Sequence, residues 1–220
     1  MKRSLEPEIM DGEDISGETL AKVYREIQRV NRWLGNTSAI IRRLRQQQAT
    51  TKHRLRVLDI GCGQGGLLAE IRDRLNVDVI GIDLRAAPPQ SPIPILTGNA
   101  AIDPLPEADV AICVMLAHHL SETELAGVIA NVSRSCQRFL ILDPVRHPAP
   151  LWLFRVFLAP LLNPINAADG QTSIRRAYTV GEMHVIVEQS LAKSGKPVRS
   201  FQHTVAPLWI RQIVDIRWKP

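Results

Sequence analysis

The 220-residue chain is 45% hydrophobic and 22% charged, which supplies a substantial core and excludes global disorder. Its 27 Lys+Arg against 22 Asp+Glu give a formal net charge of +5. The longest apolar stretch, Leu151 to Ile165, is broken by Arg155, Pro160, Asn163 and Pro164, so a membrane span is not expected, and the basic start Met1-Lys2-Arg3 lacks the apolar core of a secretory signal. Cys62, Cys113 and Cys136 show no C-x-x-C spacing, which excludes a disulfide framework and suits a reducing cytoplasm.

The chain opens with a polar, acidic lead to about Ser16. Leu20, Val23, Tyr24, Ile27, Val30 and Leu34 then fall at three- and four-residue steps, predicting an amphipathic helix that Gly35-Asn36 stops. A second short helix turns Ile40, Ile41 and Leu44 inward, and Gln46 to His53 reads as a linker. Arg42, Arg43, Arg45, Lys52, His53, Arg54 and Arg56 gather the positive charge here. With no aromatic residues interleaved to stack bases, this run reads as a solvated helix face, a membrane surface or an anionic substrate being the other readings.

From residue 54 short apolar runs alternate with helical patterns: Arg56–Ile60, Asp78–Ile82, Ile93–Leu96, Asp109–Val114 and Arg138–Leu142. Continuous apolar character predicts parallel strands covered on both faces. Ser121-x-x-Glu124 and Thr179-x-x-Glu182 are capping boxes, the second opening a helix that ends at Gly195. Two β-like segments, about Val198–Val205 and Trp209–Arg217, have no helix between them and should pair antiparallel. The expectation is an α/β fold with a seven-stranded, doubly wound sheet: five parallel β/α units, a closing antiparallel pair and an N-terminal helical cap over residues 1–53.

The strongest chemical signal is Val57-Leu58-Asp59-Ile60-Gly61-Cys62-Gly63-Gln64-Gly65-Gly66, a strand running through a glycine turn into a helix. Glycines let backbone approach a ligand closely, and the following helix N-terminus favours an anionic group. Gly61, Gly63 and Gly66 satisfy G-x-G-x-x-G, the dinucleotide pattern; Asp59, Gly61, Gly63 and Gly65 equally satisfy D-x-G-x-G-x-G, whose acid can hold a cationic amino group. Asp83 ends the second strand, where a carboxylate can accept both hydroxyls of a ribose. A short-chain dehydrogenase needs Tyr with Lys four residues later, but Tyr24 and Tyr178 have Gln28 and Glu182 there.

These motifs, followed in order by Gly98-Asn99-Ala100 with Leu105-Pro106, by Leu116-Ala117-His118-His119-Leu120 and by Leu140-Ile141-Leu142-Asp143-Pro144, resemble class I S-adenosylmethionine-dependent methyltransferases. The likeness covers about residues 54 to 217 and is nearest to the small-molecule branch that includes ubiquinone- and menaquinone-biosynthesis enzymes. The leading segment, with Glu8-Ile9-Met10-Asp11, more loosely resembles methyltransferases of bacterial polyketide or phenolic-lipid pathways.

The resemblance implies a Rossmann-like methyltransferase domain over 54–220 with S-adenosylmethionine as cofactor. Asp59 and the turn Gly61, Cys62, Gly63 and Gly65 would hold the methionine moiety, Asp83 the ribose, and Leu84 the adenine face. Asn99 stands where the family commonly has Asp, and Ala100 would offer a backbone N–H beside the same ring. Met115 and Leu116 would border the sulfonium. Nucleic-acid amino-methyltransferases carry D/N-P-P-aromatic where this chain reads Met115-Leu116-Ala117-His118, so no nucleic acid is expected.

The long connection from Asp143 to Thr179, with Leu151, Trp152, Leu153, Phe154, Val156, Phe157 and Leu158, reads as a lid-like insertion over a lipophilic or phenolic small-molecule acceptor, as in secondary metabolism. Peripheral membrane contact is an expectation only through the basic run between Arg42 and Arg56. Oxygen methylation needs a base, and His119 and His147, in the loops after the fourth and fifth strands, are the candidates. The six histidines show no ligand-motif spacing with carboxylates, so no metal is expected. The rival reading is a non-catalytic binding protein that keeps the fold, for which Asn99 speaks.

Overall fold

A computed structural model describes residues 1–12, 15–88 and 91–219. Helix α1 (Gly17–Trp33) starts at Ser16, whose hydroxyl accepts from the Thr19 N–H at 3.3 Å. It stops at the expected break, where Gly35 takes φ +73° before α2 (Asn36–Gln48). Helix α2 reaches into the segment read as linker. Gln47 explains this: its side-chain oxygen accepts from Arg138 Nη1 at 2.8 Å, a tertiary partner that local pattern does not reveal.

Strands β1 (Leu55–Ile60), β2 (Val77–Asp83), β3 (Ile95–Thr97), β4 (Ala108–Val114) and β5 (Cys136–Asp143) are parallel, while β6 (Val198–Val205) and β7 (Gln212–Trp218) close the sheet antiparallel. The order is β3-β2-β1-β4-β5-β7-β6, the doubly wound arrangement expected. Several strands extend one or two residues beyond the expected bounds, and two start later than expected. Pro94 has no N–H to give, and its carbonyl instead accepts from the Gly81 N–H, so β3 starts at Ile95 rather than Ile93. Trp209 lies in a short 3₁₀ turn, Pro207–Trp209, with φ +54°, so β7 starts at Gln212.

Successive strand residues face opposite layers. Phe139 and Ile141 pack under α4 (Glu122–Ser135) and α7 (Val180–Ser194), against Leu125, Val128, Ile129, Met183 and Val187. Leu140 and Leu142 pack with Val57 and Ile112 against Ile40 and Leu44 of α2 and Leu68 and Ile71 of α3 (Gly66–Arg74). Thus α2 forms part of the core layer itself. Both capping boxes are present as read, and Gly195 ends α7 at φ +67°.

The connection after β5 is helical: α5 (Pro148–Leu153), a π turn (Phe154–Leu158), a 3₁₀ turn (Ala159–Leu161) and α6 (Pro164–Arg176). Leu151, Phe154 and Ile174 make its small core. Gly170 admits the Phe154 ring, since a Cβ there would come within 2.2 Å of Phe154 Cζ. Its other face leaves Trp152 (59%), Phe157 (59%) and Leu161 (62%) exposed.

The acidic lead is fastened down. Arg3 Nη2 donates to Leu120 O at 2.8 Å, its guanidinium lies 3.8 Å over the Tyr178 ring, and Ser4 N–H donates to Arg175 O. Among the described residues no helix is long and apolar enough to cross a membrane.

Candidate cofactor and acceptor site

Neighbouring crossovers diverge where β1 and β4 lie side by side, so a crevice opens at the carboxyl ends of these strands. There Gly61, Gly63 and Gly65 take φ of +69°, +55° and +76°, which explains the residue type. The N–H groups of Gly61 and Cys62 both donate to Ile82 O, tying the turn to β2. Helix α3 begins at Gly66 with no side-chain cap, leaving its first N–H groups open to a ligand.

Asp83 carries the turn on one oxygen: Oδ2 accepts from the Gly63 N–H at 2.7 Å, and Oδ1 from the Arg85 N–H at 3.0 Å. Asp59 is buried, and burial together with Asp83 pushes its carboxyl well above the usual carboxylate range. A cationic group between these acids would relieve that cost. Leu84 is 71% exposed beside Asp83. Cys62 turns its thiol away, into the sheet: a Cβ on Gly81 would meet Cys62 Sγ at 2.3 Å. Burial, with Asp59 and Asp83 nearby, raises its thiol pKa, which keeps the thiol neutral.

The side-chain oxygen of Asn99 accepts from the Ala101 N–H at 3.0 Å, and its own N–H donates to Asp103 at 2.6 Å. Ala100 is held through its carbonyl by Asn131 Nδ2. Met115 follows β4 at φ +60°, with its N–H on Leu142 O. Leu116 lies on Gly61, where a Cβ would come 2.6 Å from its Cδ2. From the other side α1 brings Tyr24 against Gly63 and Gln28 against Gly66. The cavity left between Gln28, Asn31, Thr37, Leu67, Glu70 and Val114 is about 20 Å³.

Beyond β4 lies a charged cluster that sequence spacing did not reveal. His118 is buried; its Nδ1 is 2.9 Å from Asp143 Oδ1 and its Nε2 3.4 Å from Glu8 Oε1. Burial pushes the imidazolium down, but Asp143 and Glu8 overturn this and lift its pKa to about 9. His119 Nε2 is 3.5 Å from the same Glu8 oxygen, and its Nδ1 3.2 Å from Asp11 Oδ2. Glu8 also accepts from Ser173 Oγ, and Asp169 holds the N–H groups of Ile9 and Met10. The absence of ligand-motif spacing in the sequence thus does not keep the histidines from carboxylates in space. Glu8 stands 110 positions from His118, a separation no spacing motif covers.

His147 is placed differently. It caps α5, its Nδ1 accepting from the Ala149 N–H at 3.1 Å, and stacks on Trp209 at 4.5 Å between centroids. With that lone pair occupied, the proton of the neutral ring sits on Nε2.

The sequence profile described as a methyltransferase domain matches residues 29–155, more than half of the chain. The chain belongs to this methyltransferase-domain family. Among solved structures, the plantazolicin methyltransferase BpumL in complex with SAH superposes with a TM-score of 0.68 at 14% identity, over 93% of this chain and 92% of that one. BamL, in complex with a triazolic desmethylPZN analogue and SAH, gives 0.67 at 14% identity over 90% of each. Magnesium protoporphyrin IX methyltransferase from Synechocystis PCC 6803, with bound SAH, gives 0.55 at 15% identity over 94% and 91%. At such identities the shared feature is the fold. No curated protein matches the sequence.

For a methyltransferase of this fold the donor set fits S-adenosylmethionine. The acids Asp59 and Asp83, the open N–H groups of α3 and the exposed face of Leu84 suit an ammonium, a ribose, a carboxylate and an adenine in that neighbourhood. Tyr24 and Gln28 were missed as members of this site. Their four-residue spacing was readable only as one helix face, and what that face covers depends on the tertiary fold.

Proposed function

We propose that this methyltransferase transfers a methyl group from S-adenosylmethionine to the oxygen of a small phenolic or lipophilic acceptor, in the reducing cytoplasm. When bound, the cofactor supplies a methyl group already activated on a sulfonium. The chain's own work is then to bind, align and exclude water. Asp59, Gly61, Gly63, Gly65 and Asp83 hold the cofactor, the backbone of Cys62 and of Ala100 adds polar contact, and Leu84 and Asn99 border the adenine. Met115 and Leu116 stand between the turn and the acceptor. Within residues 1–53, α1 serves as a cover while α2 belongs to the core layer, and residues 143–179 serve as the acceptor wall.

The observation that carries the acceptor class is the apolar face of the α5–α6 connection. Trp152, Phe157 and Leu161 are exposed on a segment that leaves β5 at the same carboxyl edge as the glycine turn. An apolar acceptor would cover such a surface. For an oxygen acceptor the proton is taken by the Glu8–His118–His119 cluster, with His119, 21% exposed, as its accessible member. His147, committed to Ala149, orients α5 instead.

The experiment is a methyl-donor turnover screen of the full chain against phenols, quinols, fatty acids and small amines. The acceptors in the neighbours' names, a desmethylPZN analogue and magnesium protoporphyrin IX, belong in the panel. Turnover on a phenol or quinol supports the proposal. Turnover confined to amines overturns the oxygen assignment, and cofactor binding without any turnover would favour the binding-protein reading.

A further inference from the structure

We infer that Glu8, His118 and His119 form a binding site for a divalent transition-metal ion of the zinc type, with Asp143 and Asp11 orienting the two imidazoles. Both histidines turn Nε2 toward one oxygen, Glu8 Oε1, at 3.4 and 3.5 Å. Two ligand atoms bound to one tetrahedral ion at ordinary Zn–N and Zn–O lengths stand about 3.4 Å apart. One ligand atom from each of the three residues lies within 4.8 Å of the other two.

The outer shell repeats the same logic twice. The Nδ1 of His118 faces Asp143 at 2.9 Å, and the Nδ1 of His119 faces Asp11 at 3.2 Å. A carboxylate on the far nitrogen fixes the tautomer that leaves Nε2 free to ligate. Glu8 is fixed in turn by Ser173 Oγ at 2.7 Å. Three carboxylates surround the two rings, and Arg176 Nη1, 3.8 Å from Asp11 Oδ2, is the guanidinium facing them. A His₂–carboxylate set binds zinc with one position left over, which suits a water or an acceptor oxygen. In the metal-bound form both Nε2 atoms would be ligands, and the ion would replace the histidine base by lowering the pKa of a bound hydroxyl; the base role of His119 belongs to the metal-free form. Glu8 comes from the N-terminal lead and the histidines from the β4 loop, so the ion also fastens these segments together.

The test is metal binding to the full-length protein without cofactor or acceptor, so its outcome is separable from that of the methyl-transfer proposal. Titration with Zn²⁺ should show one equivalent per chain, and Co²⁺ should give visible d–d bands that Zn²⁺ abolishes. Glu8→Gln and His119→Ala should each lower affinity at least about 100-fold, and Asp11→Asn about 10–100-fold. His203→Ala, in β6, should leave affinity unchanged. Absence of stoichiometric binding, or a Glu8→Gln protein that binds as tightly as the parent, overturns the assignment. If Glu8→Gln does not fold, the parent protein's Co²⁺ spectrum and nitrogen ligation by X-ray absorption decide the matter.

Discussion

Tyr24 lies against Gly63 so closely that a Cβ on the glycine would stand 2.7 Å from Tyr24 Cε1. The first helix thus rests on the central glycine of the cofactor turn. Burial and the nearby Asp83 raise the phenol's pKa, against the opposing pull of the Arg85 guanidinium.

Tyr24→Ala should therefore loosen the cover over the bound cofactor. Loss of one aromatic contact corresponds to about a 2–10-fold rise in Kd, expressed mainly as faster release. Stopped-flow displacement of S-adenosylmethionine measures this. An unchanged release rate would mean that α1 swings clear when the site fills.

Asp83→Ala removes the acceptor of the Gly63 N–H and the proposed ribose contact together. Cofactor Kd should rise about 10–100-fold, as for a lost charge-assisted hydrogen bond. Asp83→Asn, which keeps an acceptor for Gly63, should fall between parent and Ala variant. Calorimetry at equal fold content reads the series, and a Kd that does not move sinks the ribose assignment.

Asp59 yields a pH prediction with a definite sign. Its carboxyl keeps its proton to higher pH in the folded chain than in the unfolded one, because of burial and Asp83. Between the ordinary carboxylate range and that raised value, the folded state binds more protons. Stability of the ligand-free protein therefore falls as pH rises through this window. Asp59→Asn should abolish the fall and raise the melting temperature at neutral pH, by about 2–4 °C per kcal/mol gained. The same variant should bind S-adenosylmethionine more weakly. Scanning calorimetry across pH, with and without cofactor, separates the two effects.

Asp215→Ala should cost about 3–5 kcal/mol in urea denaturation. Arg138 is buried and donates from Nε and Nη2 to Asp215 at 2.9 and 2.5 Å, so removing the acid strands a charge beneath the sheet. Turnover of the remaining folded protein should be unaffected, since this pair lies on strands β5 and β7 away from their carboxyl-edge loops. A loss below 1 kcal/mol would show that Gln47 and the Arg43 carbonyl suffice for the guanidinium.

The sheet was legible because both faces of its strands are covered, which leaves continuous apolar runs such as Phe139–Leu142. The capping boxes at Ser121 and Thr179 were legible because both partners lie within four residues. Glu8 was not. Its immediate neighbours, Pro7 and Ile9, form no periodic apolar face, and the groups that hold it, Ser173, His118 and His119, are none of them local. His147 was legible as a loop histidine but not as a helix cap, because Pro148 at the first helical position announces the cap only once α5 is known to exist. The extent of α2 was hidden for the same reason, through Gln47 and Arg138.

The placement of β7 between β5 and β6 bears on how the chain is made. Asp215 pairs with Arg138 across 77 positions of sequence, and β7 supplies the only partner for one side of β5 among the described residues. While those intervening residues leave the ribosome, Phe139, Leu140, Ile141 and Leu142 form an apolar strand with an open edge. That is the state in which a nascent chain pairs with the wrong neighbour. Heat or a shortage of chaperones during synthesis should deplete this protein before its cofactor crevice has been walled on the β5 side, whatever the stability of the finished molecule.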